Sequence, residues 1–191
     1  LISVIMGAAL ISKEVENRTI YLVLTKAVAR WQFVIGRLAG LLAVLLLNSF
    51  LMSLIVLVIF FMSGGEWTSL ILMSLTLQIT EFAVLASIAC IFSAFSTTAF
   101  SAIATSGIWV IGHAMTDLQI VVSKTESSVM RSIVEGLVQV LPDLTRFDIK
   151  AQVSHLLPVT LGYFGSSVLY GLVYVLFSSV VSCAIFSRRD L

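Results

Sequence analysis

The sequence predicts an all-α integral membrane protein, a polytopic helical bundle, on three observations. Charged residues make up only 11% of the chain and hydrophobic residues 59%, whereas ordinary soluble domains carry about 25% charged residues. Mean hydropathy is +1.11, a value that calls for lipid as the surrounding solvent. The apolar residues also fall into runs of roughly 20, the length that crosses the hydrocarbon core, parted by short polar breaks. A net charge of +1, with no basic run longer than Arg188-Arg189, gives nucleic acid nothing to bind. Cys90 and Cys183 lie in apolar runs and read as small buried hydrophobes.

Taken in order, residues 1–11 are apolar but too short to span. With Leu1 rather than Met at the start, they read as the tail of a span belonging to a longer subunit. Residues 12–34 turn polar, and with Arg37 they hold Lys13, Glu14, Glu16, Arg18, Lys26 and Arg30. Acidic residues come early and basic ones late, which suits a helix dipole. Ile20, Leu22, Val23 and Leu24 supply an apolar face, so an amphipathic helix along the membrane surface is predicted. Residues 35–62 form the next span, with no charge beyond Arg37. Ser63-Gly64-Gly65-Glu66 closes it as a turn that uses glycine at positive φ, and Trp67 sits where an interfacial aromatic belongs. Further spans are predicted at 67–93 and 97–117, joined by a short polar connection from Ser93 to Thr98, and at 162–186, before Arg188-Arg189-Asp190.

The segment 118–161 is patterned rather than plain loop. Met130, Ile133, Val134, Leu137, Val138 and Leu141 lie on one helical face, with Thr125 as its cap and Pro142 as its stop. A second short pattern runs from Phe147 to Leu157 before Pro158. Two half-length helices here read either as a re-entrant lid or as helices lying on the membrane surface. Lys13, Arg18, Lys26, Arg30, Arg37, Arg188 and Arg189 fall on the connector side, against Lys124, Arg131, Arg146 and Lys150 on the other. By the positive-inside rule the connector and the C-terminus are expected in the cytoplasm.

Polar residues inside the spans are the candidate sites. Glu81 stands near the middle of 67–93 with Gln78 one turn before it, and Asn48, at similar depth in the preceding span, is its expected hydrogen-bond partner. These three read either as a substrate- or proton-linked site or as an interhelical polar contact that fixes packing. His113 and Asp117, four residues apart, face the same way near the other end of their span. With His155 distant in sequence and no Met-rich or Cys-rich cluster, no metal site is expected. Gly162, Gly165, Ser166, Ser167 and Gly171 form a small-residue strip suited to close helix packing.

The connector also carries a family resemblance. Glu14-Val15-Glu16-Asn17-Arg18-Thr19-Ile20, Leu22-Val23-Leu24-Thr25, Val28-Ala29-Arg30 and Ile35-Gly36-Arg37 resemble the first cytoplasmic loop of ABC-2 type transporter permeases, most closely the branch associated with multicopper-enzyme maturation. The sequence departs from that pattern at Ala27, where Pro is common, and at Arg37, where Lys is common. The resemblance implies a six-span permease subunit, here without its first span and part of its second. The connector would be the coupling helix, with Glu14, Glu16, Arg18, Thr19, Lys26 and Arg30 contacting or supporting a separate P-loop ATPase dimer. A second permease copy or paralogue would complete the unit, usually in a bacterial inner membrane. ATP and Mg would belong to the ATPase subunits. The four lysines follow Ser12, Thr25, Ser123 and Ile149, so the chain lacks the Gly-Lys of a P-loop and is not expected to be an enzyme itself. The alternatives are a non-transporting membrane anchor of an ATP-driven machine and an intramembrane enzyme.

Overall fold

The computed structural model describes residues 8, 30–62, 64, 69–123, 131–132, 134, 136, 141–149, 152–153 and 159–187. Its regular elements are all helical: α1 Arg30–Met62, α2 Ser69–Phe95, α3 Thr98–His113, α4 Met115–Ser123, a one-turn 3-10 helix Leu144–Phe147, and α5 Leu161–Ser187. Three of these are long and apolar enough to cross a membrane: α1 from Gln32, α2 and α5. The chain is therefore an integral membrane protein. Glu14, Glu16, Arg18, Thr19, Lys26 and His155 lie outside the described residues, as do Met130, Ile133, Leu137 and Val138 of the expected outer helix.

α1 runs antiparallel to both α2 and α5, which are parallel to each other. Gly64, at φ 80°, makes the bend after α1 and donates its N–H to the Phe61 carbonyl at 3.0 Å, as its paired-glycine sequence led us to expect. Phe33 at the start of α1 stacks on Phe186 at the end of α5, with ring centroids 5.8 Å apart. Both meet Cys90 and Ala94 near the end of α2. The Arg30 end of α1, the Phe95 end of α2 and the Phe186 end of α5 thus share one side, and the Ser69 and Leu161 ends share the other. Arg37 lies over the Phe33 ring at 5.7 Å and keeps its charge at the edge of this cluster.

Small side chains hold the centre. Ser167, Gly171, Ser178 and Ser182 are on the buried face of α5, and α2 meets it with Thr80 at Gly171 and Cys90 at Ser182. The strip predicted at the start of α5 is only partly used, since Gly162, Gly165 and Ser166 are exposed, and the buried stripe instead continues to Ser178 and Ser182. Hydroxyls on these faces are satisfied locally: Thr80 donates to the Thr76 carbonyl at 2.9 Å and Ser87 to the Val84 carbonyl at 2.8 Å. Bonded in this way they pack as compact, effectively apolar groups. Ser182 donates to the Cys90 carbonyl at 3.2 Å, which leaves its oxygen open to the Cys90 thiol at 3.3 Å.

Two features depart from simple spans. The run read as one span over 97–117 is two helices, Thr98–His113 and Met115–Ser123, parted at Ala114, whose N–H reaches both Val110 and Ile111 carbonyls. No proline sits there, but the helix end is closely packed across the bundle. A Cβ on Gly112 would stand 2.7 Å from Leu144 Cγ and 3.1 Å from the Pro142 carbonyl, so the 141–149 segment presses directly on the helix end. That segment is the second feature. Leu144, Phe147 and Ile149 are fully buried. Phe147 reaches Gly171, ten residues into α5 and so roughly 15 Å along it from the Leu161 end. The two half-length helices expected here lie mostly outside the described residues, and the 141–149 segment between them packs into the bundle. Asp143 anchors it: its backbone N–H bonds the Tyr170 hydroxyl at 3.0 Å, and its carboxylate takes the Thr145 N–H at 3.1 Å and Arg146 Nε at 3.2 Å.

Candidate functional site: a polar centre at mid-depth

The turn between α2 and α3 fixes what meets at mid-depth. Thr97 caps α3, accepting from the Phe100 N–H at 3.5 Å, and the two helices run back antiparallel from that point. Residues equally far from the turn on either side then lie level. Glu81 and His113 are such a pair, and His113 Nε2 stands 3.5 Å from Glu81 Oε1. Glu81 lies 12 residues into α2, roughly 18 Å along the helix. Its side chain is 9% exposed, whereas that of His113 is 27% exposed.

The hydrogen-bond roles restrict the protonation states. His113 Nδ1 is 3.1 Å from the Trp109 carbonyl, which can only accept, so Nδ1 carries a proton. The Glu81–Nε2 contact then holds one further proton in its neutral arrangement. It is either on the imidazole, as an ion pair, or on the carboxyl, as a neutral acid donating to Nε2. Both arrangements carry no net charge, which is the form a low-dielectric interior favours. The Trp109 ring covers the imidazole at 5.2 Å between centroids.

Beside this pair lies a cavity of about 540 Å³ between α1, α2 and α3. Asn48, Ser49 and Ser53 of α1 and Gln78 of α2 supply its polar lining, and Trp109 closes it from α3. It forms where α1 parts from α2: Leu45 is the last buried residue of α1, and from Leu46 to Met62 none is buried.

The predicted site residues therefore divide. Asn48 and Gln78 share the cavity wall, as their matched depth implied. Glu81 pairs with His113 rather than with Asn48, whose side chain makes no hydrogen bond among the described residues. His113 and Asp117 do not act as one face: the helix is interrupted between them, and Asp117 is exposed in the first turn of α4. Among the described residues no group of three His, Cys, Asp or Glu side chains is placed to hold a metal. Arg30 opens α1, while Glu14, Glu16, Arg18, Thr19 and Lys26 lie outside the described residues. The Glu81–His113 contact and the part of Trp109 are not found in the sequence reading, although counting back from Ser96-Thr97 on either side finds the first. Comparison with protein-family models, curated proteins and solved structures yields no significant match.

Proposed function

We propose that this chain is a membrane-spanning permease subunit of an ATP-driven transporter, worked by a separate P-loop ATPase dimer and completed by a second permease copy or paralogue. The observation that carries the reading is the connector, in which Glu14, Glu16, Arg18, Thr19, Lys26 and Arg30 lead directly into the first residues of α1. A membrane bundle driven by a soluble motor needs a charged, helix-compatible element outside the lipid, joined rigidly to a span. In this reading the connector and C-terminus are cytoplasmic in a bacterial inner membrane, and ATP and Mg stay with the ATPase. Displacement of the connector is passed to α1, whose first half is packed through Phe33, Val34, Leu38 and Leu41, so the span moves with it.

The intramembrane-enzyme alternative gains one observation, the meeting of Glu81 and His113 at one depth. Both imidazole nitrogens are already engaged, however, and no Ser, Thr or Cys side chain bonds His113 among the described residues. A non-transporting anchor would keep the same connector and is separated from a transporter only by measuring flux. The test is purification of the full-length protein from native membranes in mild detergent, scoring co-purified proteins and ATPase activity. The expected result is a P-loop ATPase that co-purifies and is lost on Glu14→Lys with Glu16→Lys. A stable protein with no nucleotide-binding partner contradicts the proposal.

A further inference from the structure

The cavity between α1 and α2 has a composition that defines its occupant. Its polar groups are two amides, Asn48 and Gln78, and two hydroxyls, Ser49 and Ser53, set among Leu45, Met52, Val56, Leu75, Ile79 and Phe82. None of the lining side chains is ionised. Asn48 stands 18 residues into α1, roughly 27 Å along it, and Gln78 nine residues into α2. Neither amide side chain has a hydrogen-bond partner among the described residues. A primary amide left without a partner inside a membrane is costly, and the pair offers donors and acceptors at one place. The cavity is open on one side, where the rest of α1 toward Met62 is exposed. Anything that reaches the amides from that side must therefore dissolve in lipid.

We infer that this cavity is a binding site for an uncharged, membrane-soluble molecule with a flat hydrogen-bonding head and an apolar tail. The volume of about 540 Å³ suits a head of one or two rings. Asn48 and Gln78 bond the head's oxygen atoms, Phe82 and Trp109 flank its plane, and the tail leaves between α1 and α2 into lipid. A charged headgroup is disfavoured because nothing in the wall would neutralise it. The site stands independently of the ATPase-coupled reading, since it needs neither the connector nor a motor.

Trp109 provides the assay, because it lines the cavity and the chain's other two Trp, Trp31 and Trp67, can be replaced by Phe. The full-length protein with Trp31→Phe and Trp67→Phe is placed in lipid nanodiscs and titrated with decylubiquinone, an uncharged quinone that quenches indole fluorescence. Saturable quenching is expected, weakened about tenfold when Asn48→Leu and Gln78→Leu remove the amides. Both substitutions make the spans more apolar, so the variant should insert and keep its helical circular dichroism. As a second variant, Ser53→Phe fills the cavity while sparing the amides and should abolish saturation. Quenching that rises linearly with quinone, or saturates equally in all three proteins, overturns the inference. So does an Asn48→Cys cross-link between two copies in every molecule, which would mean that a neighbouring chain covers the amides.

Discussion

Two of the apolar spans, α1 and α2, behave in opposite ways. α1 is the more hydrophobic, with a mean hydropathy of 2.8 over its best window, yet only 6% of that window is buried. α2 is less hydrophobic, at 1.9, and 50% of its window is buried. In water the order would be reversed. In lipid, Leu, Ile and Phe gain nothing by leaving the acyl chains, so helices associate where small and hydrogen-bonded side chains let backbones approach. α2 offers Thr80, Ala86, Ser87, Ala89, Cys90, Ser93 and Ala94. Beyond Leu45, α1 offers mainly large aliphatic and aromatic groups, and there it leaves the bundle. The split within α1 makes the same point, because its packed first half is the half nearest the connector.

Substitutions at the small-residue contact should have the largest effect. A side chain on Gly171 would run into Thr80 Cγ2 and stand 3.2 Å from Phe147 Cζ. Gly171→Val is expected to destabilise the bundle by about 3 kcal/mol in detergent unfolding, and Thr80→Ser should recover part of that loss. If Gly171→Val is neutral, smallness is not what holds α2 to α5. Next comes the mid-depth pair. His113→Leu leaves Glu81 without this partner and should cost about 2 kcal/mol, whereas Glu81→Leu with His113→Leu should unfold close to the wild type. A double variant as weak as the single one would mean that the imidazole acts through packing alone.

Smaller effects sharpen the contrast. Ser182→Ala removes the hydroxyl bonded to Cys90 and should cost about 0.6 kcal/mol, the usual scale for hydrogen bonds between membrane helices. On the second half of α1, Leu54→Ala and Ile55→Ala remove large groups that are each 51% exposed, and their cost should stay below about 0.5 kcal/mol. A loss of 2 kcal/mol or more there would show that this face is covered in the membrane by something other than lipid.

Much of this architecture is legible in the sequence because the bilayer constrains it so strongly. Long apolar helices are present where expected, as Arg30–Met62, Ser69–Phe95 and Leu161–Ser187, the first beginning inside the stretch read as connector. The interruption at Ala114 was not legible. Gly112-His113-Ala114-Met115 contains no proline, a lone glycine is common inside apolar spans, and the side chain packed on it is that of Leu144, more than 30 residues away in sequence. The partner of Glu81 was misjudged because depth was counted from the ends of assumed spans. Had it been counted from the Ser96-Thr97 turn, His113 would have fallen level with it. Burial along α5 was legible only in part, since Gly162 and Gly171 look alike in sequence but only the second faces a neighbour.

The most direct test of the central claim, that the charged connector delivers a motor's work to this bundle, is photo-cross-linking in native membranes. A photoreactive amino acid at position 16 of the full-length protein is activated with and without ATP. The account predicts a cross-link to a P-loop ATPase whose yield changes with nucleotide. Cross-links to lipid alone, from a protein that still assembles normally, would contradict it.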